Sequence, residues 1–247
     1  MKEWITGRNP VYEVLQANRR HFFRARIALG MEENGRISQI LALLQRRKIP
    51  VERVPRQNLD QVAENHQGVA VESSAYPYST LKDILDNLNN TRALPFLLIL
   101  DELQDPQNLG TLLRTADAVG IQGIIIPPRH SVGVTPAVVH ASSGATEHLL
   151  IAAHNLAQAI QLIKEKNIWV IGLENASESQ PVHQVHLDGP LAIVVGSEGH
   201  GMRSLVKKSC DQLAYLPMVG KIGSLNASVA GSIGLYLALQ ARQRTGK

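Results

Sequence analysis

Two regimes of apolar and polar patterning divide the chain. In the first, residues 10–18 repeat at helical spacing, and Phe23-Arg-Ala-Arg-Ile-Ala-Leu29 alternates as a half-buried strand does. Ile37, Ile40, Leu41 and Leu44 predict a helix over 37–48. A short strand at 51–54, a helix at 59–65 and a closing strand at 68–72 follow. These elements describe a compact α/β module of roughly seventy-odd residues, within the usual domain range.

Turn formers then interrupt the pattern in Ser73-Ser-Ala-Tyr-Pro-Tyr-Ser79, before a short helix predicted at 81–88 and the polar run 87–92. From residue 96 onward, short apolar strands alternate with helices. Strands are predicted at 96–101, 123–127, 149–152, 168–173, 191–195 and 212–216. The intervening helices fall at 107–119, 136–145, 156–166 and 203–210, with a long terminal helix from 226. Such a series implies a mainly parallel sheet covered on both faces, with its ligand crevice beyond the strand C-terminal ends. The expected organisation is a first domain over 1–75, a linker over 76–94 and a second domain over 95–247. The linker reads equally as a hinge or as the second domain's first helix.

Charge sharpens this division. Residues 1–75 hold 12 Lys/Arg against 8 Asp/Glu, whereas residues 76–247 hold 13 of each. The whole excess of +4 therefore lies in the first segment, where Arg19, Arg20, Arg24 and Arg26 crowd together. A phosphate-rich partner such as RNA is the functional reading, with these four arginines as its contacts; a solvated basic surface is the plain one. The chain has one cysteine, Cys210, which excludes an intramolecular disulfide and a cysteine-cluster metal site. No apolar run approaches a membrane span, and the N-terminus has no apolar signal core, so a cytoplasmic location is expected. His183 and His186 have no evident third or fourth ligand, so no metal is expected.

Candidate chemistry gathers at strand exits. Gly196-Ser-Glu-Gly-His-Gly-Met202 leaves one apolar strand, and Leu216-Pro-Met-Val-Gly-Lys-Ile-Gly-Ser-Leu-Asn-Ala-Ser-Val229 leaves another. Glycines there allow close backbone approach, and Ser224 or Asn226 also suits a helix cap. Upstream, Asp105-Pro-Gln-Asn-Leu-Gly-Thr-Leu-Leu-Arg-Thr-Ala-Asp-Ala-Val-Gly120 opens a helix with Pro106 in its first turn.

These three stretches, in this order, resemble the signature motifs of the SPOUT class of RNA methyltransferases, in its SpoU (TrmH-like) branch. The resemblance is strong from residue 95 onward. The opening Ile5-Thr-Gly-Arg-Asn-Pro-Val-Tyr-Glu-Val-Leu15 resembles the substrate-binding domain of 23S ribosomal RNA guanosine 2′-O-methyltransferases. The resemblance implies a small N-terminal α/β domain of ribosomal-protein-L30 type and a parallel-sheet α/β SPOUT domain tied in a trefoil knot. It also implies S-adenosylmethionine as cofactor, an RNA substrate and a homodimer. By the same resemblance Arg114 is the essential motif arginine, and Asn108, Glu198, Ser224 and Asn226 complete the catalytic set. Gly196, Leu216 and Leu225 lie at cofactor-binding positions. Whether Arg114 removes the ribose proton or stabilises the oxygen as it loses one stays open, although a guanidinium is effectively always protonated. The implied activity is methyl transfer to a ribose 2′-hydroxyl, in a guanosine of 23S ribosomal RNA. Transfer RNA is a rival substrate, and a non-catalytic RNA-binding or ribosome-assembly module the reading from another class.

Overall fold

A computed structural model describes residues 2–221 and 223–245. The elements in chain order are β1 (Lys2–Thr6), α1 (Arg8–Ala17), β2 (Phe22–Ala28), α2 (Gly35–Arg46), β3 (Val51–Val54), α3 (Arg56–Asp60), β4 (Val69–Ser74) and α4 (Leu81–Asn89). There follow β5 (Phe96–Leu100), α5 (Pro106–Ala118), β6 (Gly123–Ile126), α6 (Pro136–Ala141), β7 (Ile151–Ala153), α7 (Leu156–Lys164) and β8 (Trp169–Leu173). The last are β9 (Gln180–Pro181), β10 (Leu191–Val195), α8 (Ser204–Ser209), β11 (Gln212–Tyr215) and α9 (Ala227–Thr245). No helix among the described residues is long and apolar enough to cross a membrane.

The chain forms two compact units. The first comprises residues 1–77 together with 133–148; the second comprises 78–132 and 149–247. In the first unit the sheet order is β1-β4-β2-β3, with β2 and β3 parallel and the other pairs antiparallel. Ile5, Ala25, Ile27 and Val71 are buried, as are Val11, Val14 and Leu15 of α1 and Ile37, Ile40 and Leu44 of α2. β1 escaped the periodicity reading because a five-residue strand beginning Lys-Glu carries too little alternation.

Segment 133–148 departs from the sequence reading, which placed its helix in the second domain. It contains α6 and a short 3₁₀ turn, Ala145–His148, and belongs with the first unit. Gly144, at φ +90°, makes this packing possible: a Cβ there would lie 2.6 Å from Glu13 Cβ and 3.3 Å from Pro10 Cα, on α1. The side chains of Arg20 and Glu147 are fully buried and paired, Nη2 to Oε1 at 2.7 Å and Nε to Oε2 at 3.1 Å. Arg20 Nη1 also reaches Glu3 Oε2 at 3.1 Å and donates to the Ser74 carbonyl at 3.2 Å.

The second unit is built on a seven-stranded sheet, all parallel, ordered β7-β6-β5-β10-β8-β11-β9. β5 and β10 are buried along their whole length, as strands covered on both faces must be. The expected linker 76–94 is not a plain connection. Thr80 and Asp83 form a capping box at the start of α4, and Leu81, Ile84 and Leu88 enter the same core as Leu97, Ile99 and Val194.

Candidate active site

The second unit's chemistry collects where β5, β8, β10 and β11 end, the edge at which parallel sheets bind ligands. The loop after β10 is clamped from both sides. Asp101, fully buried at the end of β5, accepts from the Arg203 backbone N–H and from its Nε, both at 2.8 Å, and pairs with Nη2 at 2.7 Å. Glu174, beyond β8, accepts from the Met202 N–H at 2.9 Å and pairs with Lys207 Nζ at 2.9 Å. That pairing raises the ammonium's pKa above its ordinary value. Within the loop, Ser197 and Gly201 exchange backbone hydrogen bonds of 3.0 and 3.1 Å. A Cβ on Gly196 would lie 2.3 Å from the Gly201 carbonyl carbon and 2.5 Å from the Met202 nitrogen. The loop's own closure thus demands this glycine, a reason separate from the cofactor approach expected from sequence, although Gly196 also lines the cavity described below.

Three of the five sequence-assigned catalytic residues meet in one hydrogen-bonded cluster. Asn226 caps α9: its Oδ1 accepts the N–H groups of Ser228 at 2.9 Å and Val229 at 3.2 Å. That fixes the amide, turning Nδ2 toward Asn108 Oδ1 at 3.0 Å and toward Glu198 Oε1. Asn108, in the first turn of α5 behind the Asp105 cap, donates from Nδ2 to Glu198 Oε1 at 2.8 Å. Glu198 Oε1 therefore accepts from two amides, while Oε2 has no partner among the described residues. Capping and a place in the cluster, compatible on the sequence reading, are one arrangement at Asn226.

Glu198 also lines a cavity of about 450 Å³, together with Gly196, Leu216, Ser224, Leu225 and Tyr215. The volume suits a small-molecule site. Its charged walls are Glu174 and Glu198, and among the described residues no Lys or Arg lines it. Arg114 lies on α5, six residues beyond Asn108, and is exposed. Ser228 joins the cluster although it was outside the sequence-based set; its Oγ lies 3.1 Å from Asn108 Oδ1. Among the described residues, no group of three His, Cys, Asp or Glu side chains stands close enough to hold a metal.

The four arginines expected to contact RNA are differently employed, and that assignment is corrected for Arg20, which is 4% exposed and spent on Glu147 and Glu3. Arg19 donates to the Glu147 and Pro77 carbonyls and to the Tyr76 hydroxyl, each at 3.2–3.3 Å. Arg24 bridges Glu52 and Glu72, and Arg26 pairs with Glu52 while lying over the Trp4 ring. The glutamates come from β3 and β4, so crowding in sequence becomes a neutralised ladder on the sheet. The hydrogen bonds from Arg26 and Arg24 hold the Glu52 carboxyl below its ordinary pKa.

Residues 95–236 match the model of the SpoU rRNA Methylase family, and residues 4–79 match a domain model described as RNA 2′-O ribose methyltransferase substrate binding. YacO of Bacillus subtilis (strain 168), named as a TrmH family tRNA/rRNA methyltransferase, is 43% identical over 250 residues, covering 99% of this chain and 98% of its own. A Staphylococcus saprophyticus protein also named as a TrmH family tRNA/rRNA methyltransferase is 39% identical over 244 residues, covering 98% of this chain and 97% of its own. Among solved structures, the SpoU methyltransferase AviRb from Streptomyces viridochromogenes shares the fold with a TM-score of 0.82 at 20% identity, covering 99% of this chain and 91% of that one. An rRNA methyltransferase from Sinorhizobium meliloti, solved with AdoMet bound, gives 0.79 at 23% identity, covering 97% and 87%. With its motif loops on one sheet edge and both family models matched in order, the chain belongs to the SpoU rRNA methylase family of RNA methyltransferases.

Proposed function

We propose that the protein transfers a methyl group from S-adenosylmethionine to the 2′-hydroxyl of a guanosine in 23S ribosomal RNA. One observation carries the cofactor assignment: a cavity edged by the Glu198 carboxylate, which has no ion-pair partner among the described residues, and lined by no Lys or Arg among them, while the Glu174 charge is taken up by Lys207. A sulfonium cation is at home there, whereas a polyphosphate cofactor is repelled. Leu216 and Leu225 supply the apolar walls for the adenosyl group, and the bound sulfonium supplies the methyl and its own leaving group. Arg114, permanently charged, stabilises the ribose oxygen as it loses its proton. Asn108 and Asn226 hold Glu198 at the cavity edge.

The ribosomal assignment rests on the first unit, whose sequence matches the substrate-binding model and whose first 75 residues hold all of the net positive charge. Relatives named tRNA/rRNA methyltransferases keep transfer RNA as the rival. A homodimer is part of the same reading. Val229, Ile233 and Tyr236 expose apolar surface at i, i+4 and i+7 of α9, one face of the helix, at 44%, 40% and 48%. The trefoil knot is inferred from the resemblance. Incubating the protein and labelled S-adenosylmethionine with 23S ribosomal RNA and with bulk transfer RNA, in separate reactions, tests the substrate. Label on the ribosomal RNA alone is expected; label confined to transfer RNA would reverse the assignment.

A further inference from the structure

Ser228 is the second residue of α9, is 3% exposed, and faces two side-chain acceptors at once. Its Oγ lies 2.6 Å from Asn226 Oδ1 and 3.1 Å from Asn108 Oδ1. A hydroxyl carries one proton, so it serves one of these at a time. Asn226 Oδ1 already accepts two backbone N–H groups as the cap of α9, whereas Asn108 Oδ1, Ser228 apart, accepts among the described residues only from Asn226 Nδ2. The demand for a further donor is therefore greater at Asn108.

Asn108's orientation decides what Glu198 feels. With Oδ1 toward Asn226 Nδ2 and Ser228 Oγ, its Nδ2 donates to Glu198 Oε1 at 2.8 Å. Flipped, it would set its carbonyl oxygen against a carboxylate and its amino group against the amino group of Asn226. Two donors facing Asn108 Oδ1 make the flipped state costly, and one of the two is the Ser228 hydroxyl.

We propose that Ser228 is a positioning residue for methyl transfer: its hydroxyl selects the Asn108 orientation that tethers Glu198 through Oε1 and leaves Oε2 available at the cavity edge. The inference rests on the methyltransferase reading, and its test starts from a wild-type protein that transfers methyl groups to RNA. A wild type inactive on every RNA overturns that reading, whereas the Ser228 role is judged only against an active one.

The experiment is a double-mutant cycle on the full chain with Ser228→Ala and Asn108→Ala, reading kcat, RNA KM, cofactor affinity by calorimetry and the unfolding midpoint. Removing the hydroxyl alone is expected to lower kcat roughly tenfold, the scale of one hydrogen bond, with cofactor affinity and KM within about twofold of wild type. Once Asn108→Ala has removed the side chain that Ser228 orients, adding Ser228→Ala is expected to change kcat by less than about twofold. Ser228→Cys, similar in size but a weak donor, should follow Ser228→Ala. An unchanged kcat in Ser228→Ala overturns the proposal. So do losses that multiply across the cycle, or a loss of cofactor affinity and folding in step with kcat, since each assigns Ser228 a role independent of Asn108.

Discussion

Replacing Arg20 by alanine should destabilise the first unit before it affects any chemistry. The substitution removes a guanidinium whose side chain is fully buried and leaves Glu147, also fully buried, with its carboxylate facing the vacated space. Four contacts go together: two to Glu147 at 2.7 and 3.1 Å, one to Glu3 at 3.1 Å and one to the Ser74 carbonyl at 3.2 Å. Breaking a buried pair by removing one partner costs about 3–5 kcal/mol, because the remaining charge is stranded. That is a large share of the roughly 5–15 kcal/mol that holds a domain together. Arg20→Lys keeps the charge but loses the fork, so its cost should be smaller. Arg20→Met with Glu147→Leu removes both charges and should recover part of the loss, since buried pairs often exchange for apolar groups at little cost. Urea unfolding in a Trp169→Phe background reports the first unit through Trp4, which packs beside Ala28, Leu59 and Ala70. An Arg20→Ala midpoint equivalent to less than about 1 kcal/mol of destabilisation would refute the buried-pair reasoning. The same contact means that deleting residues 1–77 strands Glu147, so such a truncation should be less stable than the full chain.

Further outcomes follow from the second unit. Burial pushes the Cys210 thiol up to about 12, so it is protonated at pH 8 and should resist iodoacetamide until the protein is unfolded; rapid native alkylation would contradict this. Arg114→Ala should retain cofactor affinity within a few-fold and lose methyl transfer by at least about a hundredfold, and Arg114→Lys should be similarly impaired. Near-normal turnover in either would remove Arg114 from the mechanism. Gly196→Ala must push the 197–202 backbone outward and should weaken S-adenosylmethionine binding at least about tenfold by calorimetry; unchanged affinity would show that the loop's closed form is not needed.

Sequence carried the site further than it carried the packing. Asn108, Glu198 and Asn226 are legible through the motif resemblance rather than through spacing alone, and the fold brings their strand exits to one edge of a parallel sheet. Ser228 was harder to separate from an ordinary residue of the first helical turn, since its value lies in facing two amides 118 positions apart in the chain. Segment 133–148 was missed for a related reason. Its helical pattern says that one face is buried but not against what, and the answer lies in Gly144 meeting α1 and Glu147 meeting Arg20. Arg20 was misassigned because charge counting along the chain cannot see glutamates arriving from elsewhere in the fold, as Glu147 arrives at Arg20 and Glu52 and Glu72 at Arg24 and Arg26. Local periodicity is a short-range signal; salt-bridge partners 26 to 127 residues away are not part of it.

Nucleoside analysis by mass spectrometry after incubation of 23S ribosomal RNA with methyl-labelled S-adenosylmethionine tests the central claim most directly. The label is expected on ribose as 2′-O-methylguanosine, formed by the wild type and absent with Arg114→Ala. Label on a base, or equal label with both proteins, would contradict it.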